Sequence, residues 1–310
     1  MPGWRQRLWR AAPWLLSQGC HPRLLSKVPS MSNAASAPSL QDLRQEIDRI
    51  DQQVHALLME RADIIDRLIA VKKTQEVGSA FRPAREADMM RRLVERHRGI
   101  LPLDTIEGIW RVIIATFTHV QAPFAVHADL SPGESAMRDS ARFHFGFVVP
   151  FVPHFSADAA VAAVAGSRGD LALVSASSSR APWWSALEAP DAPKIIARLP
   201  FVERPNHPAA MPVFVVSRVA PEAMVREVEM WSVRVSGWNA AVARALAPFA
   251  EIIAVPDATS DGAALLVSVP AADGFDKVRA ALVNAGASVR SAALVGGHAT
   301  RYTVAPPGGA

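Results

Sequence analysis

The segment LRQEIDRIDQQVHALLMERADIIDRLIAVK, residues 43–72, repeats apolar residues at alternating steps of four and three. This heptad pattern predicts one long amphipathic helix. Arg61 occupies the position between Leu57 and Ile64 where the pattern requires another aliphatic residue. Because burying an unpaired cation costs several kcal/mol, we expect an anion or a network of hydrogen bonds beside Arg61.

The spacing of the basic residues on this helix indicates which of them face the same space. Lys72 follows Arg61 by eleven residues and returns to within about 20° of the same helix face. Arg44 lies about 100° away from Arg61 by the same geometry, so it is better suited to the equivalent space of a second copy. A nearby acid, Asp63 or Asp66, would instead make Arg61 a purely structural residue.

Two shorter helices are predicted after the long one. The first helix begins after its N-cap Ser39 and ends near Gln75, which makes it about 50 Å long. The second helix follows Pro83, and the third runs from about Asp104 to just before Pro123. The first helix is too long to be covered within a small domain, so we expect two copies to pair through it.

The third helix ends its apolar stripe with a polar residue. Gln121 takes the next place after Phe117 in a stripe that also contains Ile106, Trp110 and Ile113. Together with the opening LRQEIDRIDQQVHALLMER, the Arg61 to Lys72 spacing and the segment PAREADMMRRL, this glutamine gives the chain a family resemblance. The segment from residue 40 to residue 121 resembles the all-helical (AroQ-type) chorismate mutases.

The resemblance implies a fold, an activity and a set of site residues. The family forms an intertwined dimer that binds chorismate and rearranges it to prephenate, with no cofactor and no metal. The implied catalytic residues are Lys72 and Gln121, which face the ether oxygen, and Glu86, which bonds a substrate hydroxyl. The implied substrate-binding residues are Arg61 and Arg85 of one chain and Arg44 of its partner.

The sequence departs from the family pattern at two positions near this site. Arg82 stands where relatives often carry an acid, three residues before the pocket arginine. Phe117 stands where a small polar residue commonly lines the pocket. Both changes affect the expected shape and affinity of the pocket, while the main cations remain.

A different pattern follows the helices. The segment 142–152 predicts a strand, 157–165 predicts a helix, and a turn at Gly169 and Asp170 leads into the strand LALVS, which is a βαβ pattern. The serine-rich segment 175–179 is interpreted as a flexible loop rather than a catalytic site. Two further strands are predicted over 194–202 and 211–217.

This middle region has a faint resemblance to prephenate dehydratase, to which bacterial helical mutases are often fused. The family signature Thr-Arg-Phe corresponds to Ala197, Arg198 and Leu199 here, so the threonine is missing. The region is also shorter than a complete two-lobed dehydratase. We therefore expect a degenerate remnant in which dehydratase activity is absent.

The last region predicts a ferredoxin-like sandwich, because its strands and helices follow the order βαββαβ. In the fused enzymes an ACT domain, which senses an amino acid, takes this position. The glycine of the usual Gly-Ala-Leu turn is replaced by Ala240. The region could bind an aromatic amino-acid effector, or it could serve only as a structural or dimerising domain.

Composition limits the remaining possibilities. The chain has 310 residues, a net charge of +4 and a single cysteine, Cys20, which favours a reducing compartment such as the cytoplasm. Basic residues are mixed with acids after residue 41, so no nucleic-acid surface is expected. No apolar run reaches the length of a membrane span. Residues 1–38 contain no acid and are interpreted as a disordered leader or a mis-called start before Met31, a transit peptide or a weak secretory signal being the alternatives.

The sequence thus predicts a multidomain chain with an all-α mutase domain at 39–125, a degenerate α/β dehydratase-like region at 126–228 and a ferredoxin-like (ACT-like) domain at 229–305. The leading hypothesis is chorismate mutase activity in phenylalanine and tyrosine synthesis. A non-enzymatic regulatory protein built on the same dimer and an isochorismate pyruvate lyase are the alternatives. A bifunctional mutase-dehydratase is disfavoured by Ala197.

Overall fold

The computed structural model describes residues 38–72, 80–167, 169–177, 181–209, 211–218, 225–256, 258–259 and 262–304. The chain divides into two compact units, residues 1–55 and residues 56–310. The predicted leader, 1–38, lies outside the described residues except for its last position. Within the described helices, none is long and apolar enough to cross a membrane.

Helix α1 spans Leu40–Lys72, as its heptad pattern predicts. The Ser39 hydroxyl accepts a hydrogen bond from the Asp42 amide (3.1 Å), and the Asp42 carboxylate accepts one from the Ser39 amide (2.9 Å). This reciprocal cap confirms Ser39 as the N-cap. The predicted end near Gln75 lies outside the described residues. The apolar stripe of α1 is exposed at seven positions: Leu43, Ile47, Ile50, Val54, Leu57, Ile64 and Val71.

Helix α2 spans Pro83–Arg96 and helix α3 spans Leu103–Gln121, close to their predicted bounds. The fully buried face of α3 differs from the predicted stripe, because it carries Glu107, Arg111, Ile114, Ala115 and Thr118. The predicted stripe, from Ile106 to Gln121, is half-buried. The periodicity did not reveal this polar buried face because two of its members are charged.

The sequence did not predict the elements that directly follow α3, namely strand β1 (Val126–Asp129) and helix α4 (Glu134–Phe145). The predicted strand over 142–152 is therefore wrong in its first half, since those residues end α4. Alternating phenylalanines at 143, 145 and 147 imitate a strand, but Met137, Ala141 and Phe145 bury one helix face at steps of four. Gly146 ends the helix with a positive φ of 67°.

The predicted βαβ unit is present. Strand β2 (Phe151–His154), helix α5 (Ala157–Ala165) and strand β3 (Leu171–Ser175) form a crossover, in which both strands lie parallel to β1 between them. Ser156 caps α5 by accepting a hydrogen bond from the Ala159 amide. Ser175 is buried at the end of β3, which corrects its assignment to a loop, while residues 178–179 lie outside the described residues.

The remaining elements complete one mixed sheet and a small second one. A 3-10 turn, Trp183–Leu187, buries two tryptophans and leads to β4 (Lys194–Leu199), β5 (Val202–Glu203) and β6 (Val213–Ser217). The C-terminal elements are β7 (Val228–Ser236), α6 (Ala240–Leu246), β8 (Glu251–Ala254), β9 (Ala263–Pro270), α7 (Gly274–Asn284), β10 (Ser288–His298) and β11 (Tyr302–Thr303). Strand β11 pairs with β5 instead of joining the large sheet.

The order β7-α6-β8-β9-α7-β10 is the predicted βαββαβ pattern, and its strands lie in the order β10-β7-β9-β8. The full sheet has nine strands, β2-β1-β3-β6-β4-β10-β7-β9-β8, and so runs across the expected boundary at residue 228. The junction is the parallel pair of Gly296 on β10 with Ile195 on β4. A Cβ added at Gly296 would lie 2.1 Å from the Ile195 carbonyl oxygen, so this junction requires glycine.

Candidate functional site

Arg61 projects from the C-terminal part of α1 towards α3. Its guanidinium lies 5.3 Å from the centre of the Phe117 ring, and its side chain is half-buried. Asp63 and Asp66, the acids that could pair with Arg61 in a purely structural role, are exposed. Among the described residues, no acid forms an ion pair with Arg61 or contributes to the shift of its pKa. A contact with an aromatic face contributes only about 0.5–2 kcal/mol, so the charge of Arg61 remains available to an anion.

Arg85 lies near enough to Arg61 for its charge to act on the Arg61 guanidinium. Burial lowers the pKa of Arg61, and the positive charge of Arg85 lowers that pKa further. Arg85 itself is exposed in the first turn of α2, and no acid pairs with it in the described part of the chain. Two guanidinium groups that repel each other across one space favour an anionic ligand, which would relieve the repulsion.

A cavity of about 240 Å³ opens beside Arg85, between α2 and α3. It is lined by Arg85, Met89, Arg92, Arg96 and Trp110. The first four occupy one stripe of α2, at steps of four, three and four, while Trp110 comes from the half-buried stripe of α3. The cavity therefore combines three guanidinium groups with a thioether and an indole.

Gln121 lies at the end of α3, and its side chain is half-buried. Its amide nitrogen donates a hydrogen bond to the Phe117 carbonyl oxygen of the preceding turn, at 3.0 Å. The amide would have to leave this local bond, or use its second N–H, to reach a substrate oxygen.

Glu86 is buried against α3 and not open to solvent. Its Oε2 accepts a hydrogen bond from Arg111 Nη1 at 2.7 Å, and the side chains are 5% and 1% exposed. Burial raises the pKa of Glu86, and the charge of Arg111 opposes that rise. The carboxylate that the resemblance assigns to a substrate hydroxyl is thus held by a residue that the sequence analysis did not consider.

Two residues of the predicted site have no described surroundings at the pocket. Lys72 is the last residue of α1, and its side chain lies outside the described residues. Arg44 is exposed on the N-terminal part of α1, within the unit formed by residues 1–55. The structure therefore brings Arg61 and Arg85 together, and the roles of Lys72 and Arg44 remain predictions.

Arg111 belongs to a polar network that the sequence analysis missed. Its Nη2 donates to the His144 carbonyl oxygen at 3.0 Å, and its guanidinium lies 5.4 Å from the Phe201 ring centre. One turn earlier on α3, Glu107 accepts a hydrogen bond from Arg204, with His207 3.3 Å away. The only available signal was the spacing of Glu107 and Arg111 by four residues on a helix with many apolar residues.

Arg198, the one residue retained from the dehydratase signature, is also engaged in an ion pair. Its Nη1 and Nη2 lie 2.6 and 3.0 Å from the two carboxylate oxygens of Glu251. Strands β4 and β8 are four places apart in the sheet order, so the sheet must curve strongly to allow this contact. The Arg198 hydrogen bonds lower the pKa of Glu251, against the effect of its partial burial.

Comparison with known proteins agrees with the position of the helical segment. The family model for chorismate mutase type II matches residues 43–122. Bifunctional chorismate mutase/prephenate dehydratases are similar to part of the chain. The protein of Neisseria gonorrhoeae is 31% identical over 103 residues, and that of Aquifex aeolicus is 30% identical over 118 residues. The protein of Pseudomonas aeruginosa is 29% identical over 129 residues.

These matches cover a limited part of each chain. They include 33%, 37% and 40% of the present chain, and 27%, 32% and 35% of the three relatives. The chain therefore spans only about a third of the length of the curated relatives it matches. No solved structure matches the chain.

Proposed function

From the chorismate mutase type II match over residues 43–122, we propose that the helical segment rearranges chorismate to prephenate. The observation that carries this proposal is the pair Arg61 and Arg85, two guanidinium groups whose charges act on each other and which have no acidic partner among the described residues. A dicarboxylate is the type of ligand that two such groups bind, because each planar guanidinium can donate two hydrogen bonds to one carboxylate.

The residue types suit the chemistry of this rearrangement. Chorismate becomes prephenate in one pericyclic step, in which a carbon–oxygen bond breaks as a carbon–carbon bond forms within the same molecule. No nucleophile and no obligatory proton transfer are needed. The protein must hold the reactive conformer and stabilise the negative charge that develops on the ether oxygen. We assign the first task to Arg61 and Arg85 and the second to Lys72 and Gln121.

We further propose that the active form is a homodimer paired through α1. The exposed apolar stripe of α1 extends from Leu43 to Val71, and an uncovered stripe of this length is typical of an interface. Pairing would bury these residues against their counterparts. It would also place Arg44 of the partner subunit within reach of a substrate carboxylate, which completes the six residues of the proposed site.

The proposed role of Glu86 includes Arg111. Glu86 can accept a hydrogen bond from a substrate hydroxyl while its Oε2 accepts one from Arg111, since one carboxylate offers about four acceptor positions. Arg111 then stabilises the ionised form of Glu86 and limits the rise in its pKa that burial causes. In this role Arg111 is a positioning residue.

For the whole chain we propose a cytoplasmic mutase of phenylalanine and tyrosine synthesis without dehydratase activity. The absence of dehydratase activity is proposed because Ala197 replaces the threonine of the Thr-Arg-Phe signature and Arg198 is paired with Glu251. An aromatic amino acid that binds the βαββαβ region would be its effector.

The direct experiment is to incubate the purified full chain with chorismate and follow the loss of chorismate absorbance. The products are then assayed separately for prephenate and for phenylpyruvate. Prephenate alone is the expected result. Phenylpyruvate would overturn the part of the proposal that concerns the dehydratase, and unchanged chorismate would overturn the mutase.

A second candidate function is a non-enzymatic, effector-binding protein built on the same dimer. The observation in its favour is that Phe117 lies under Arg61 and that the Gln121 amide is bonded to the Phe117 carbonyl oxygen. Chorismate binding without turnover, measured by calorimetry, would favour this candidate.

A further inference from the structure

The cavity beside Arg85 extends beyond the residues assigned to chorismate. On α2, Arg92 lies about 10 Å and Arg96 about 16 Å along the helix axis from Arg85. The end of the cavity near Arg96 and Trp110 therefore lies about three helical turns from the backbone of Arg85. We call this end, formed by Met89, Arg92, Arg96 and Trp110, the distal cavity.

The distal cavity has an excess of available positive charge. Arg96 lies with its guanidinium 5.9 Å from the centre of the Trp110 ring, and no described acid forms an ion pair with it. Arg92 is paired with Asp88 at 2.7 Å, but the two side chains are 57% and 44% exposed. Exposed pairs of this kind are weak, so a ligand carboxylate can compete for Arg92.

The walls of the distal cavity also favour a flat ring. The Trp110 indole offers a planar apolar surface, and Met89 offers a thioether, which makes favourable contacts with aromatic rings. The whole cavity, including its end at Arg85, has a volume of about 240 Å³, which is below the roughly 300–1,000 Å³ of sites for drug-sized ligands. The distal cavity is only part of this volume. A single six-membered ring that carries one carboxylate matches both the size and the chemistry.

We propose that the distal cavity binds a small ring-bearing monocarboxylate, at a site distinct from the one that Arg61 and Arg85 form for chorismate. The carboxylate lies between Arg92 and Arg96, and the ring packs on Trp110 and Met89. The proposal does not depend on catalysis, because binding at this site can be measured whether or not the protein turns over chorismate.

The test is a calorimetric titration of the full chain with benzoate, and with benzamide as a ligand of the same shape without the charge. We expect benzoate to bind and benzamide to bind at least tenfold more weakly. Arg96→Gln and Trp110→Leu should each weaken benzoate binding about tenfold, and Trp110→Phe should weaken it less because it keeps a ring.

Arg91→Gln is the matched control. It removes the same charge from the same helix, but Arg91 lies outside the cavity, where it pairs with Asp88 and Glu95. Benzoate affinity should change by less than about twofold in this variant, and also in Arg61→Gln. Equal losses of benzoate affinity in Arg91→Gln and Arg96→Gln would show that only the net charge of the protein matters, and would overturn the proposal.

Two other results would also overturn it. A tenfold loss in Arg61→Gln would mean that benzoate occupies the chorismate site instead. No binding to the dimeric protein would mean that a partner's helix fills the cavity. Neither result would change the measured turnover of chorismate. Failure of the proposal for the distal cavity can therefore be distinguished from failure of the proposed mutase activity.

Discussion

Arg111 Nη1 lies 2.7 Å from Glu86 Oε2, and this ion pair between α3 and α2 is almost completely buried. Arg111 also bonds the last turn of α4 through the His144 carbonyl oxygen. The residue that holds the proposed catalytic carboxylate therefore also joins the helical segment to helix α4, which lies between strands β1 and β2 in the chain. In the described residues Arg111 Nε has no hydrogen-bond partner, so the side chain is held by its two Nη groups.

Removal of Arg111 should destabilise the protein strongly. Arg111→Met leaves the Glu86 carboxylate buried without its partner, which costs about 3–5 kcal/mol in comparable buried pairs. The double variant Arg111→Met, Glu86→Leu should recover much of this loss, because no buried charge remains. Urea unfolding of the two single variants and the double variant measures the coupling. Additive effects would show that the pair contributes little.

The stability of the protein should decrease in mild acid because of His298. This side chain is 3% exposed, and its pKa is lowered to about 4, mainly by burial and further by the charges of Arg198 and Arg301. Its hydrogen bond to the Ala299 carbonyl oxygen and the charge of Glu251 act in the opposite direction. In the unfolded chain its pKa is about 6.5, so the unfolded state binds more protons between these values.

The contribution of His298 is therefore complete above about pH 6.5 and is lost as pH falls through about 4, by up to about 3 kcal/mol. Urea unfolding at pH 7.5, 5.5 and 4.5 should show this fall in the wild type and a smaller fall in His298→Asn. His144, whose pKa burial also lowers, contributes to the same fall, so the variant His144→Asn is needed beside it. An identical pH dependence in wild type and His298→Asn would contradict the prediction.

Sequence periodicity predicted most of the described helices and strands, because their apolar residues recur at regular steps. It failed at 142–145, where alternate phenylalanines lie on a helix that Gly146 ends. Likewise, the ion pairs of Glu86 with Arg111 and of Glu107 with Arg204 were not predictable, because the two partners of each pair come from separate elements and no local pattern relates them. Arg61 was identifiable for the opposite reason, since a charge within an apolar heptad violates a local rule.

Arg61→Ala should lower kcat/KM for chorismate by at least about 100-fold, since it removes a preorganised cation from the proposed site. The matched control is Arg67→Ala, which removes an exposed arginine from the same helix. Both variants should remain dimeric and melt at similar temperatures, because Arg61 makes no ion pair with the described residues. Full activity of Arg61→Ala would remove the basis of the proposed site.

Lys72→Ala should lower kcat more than it raises KM. Its proposed contact with the ether oxygen strengthens as negative charge develops there, so the contact matters more in the transition state than in the bound substrate. Steady-state kinetics with chorismate separate the two parameters. A variant with unchanged kcat and a raised KM would show that Lys72 contributes only to binding.

Leu57→Glu should separate the proposed dimer, whereas Met59→Glu should not. Both residues are exposed apolar side chains on α1, at 63% and 56%, but only Leu57 belongs to the heptad stripe. Met59 lies about 200° further around the helix, so the same added charge remains in water there. Light scattering coupled to size-exclusion chromatography gives the molar mass of each variant.

If Leu57→Glu separates the subunits, it should also lose mutase activity, because Arg44 of the partner subunit would no longer reach the site. A dimeric and active Leu57→Glu variant would rule out pairing through this stripe.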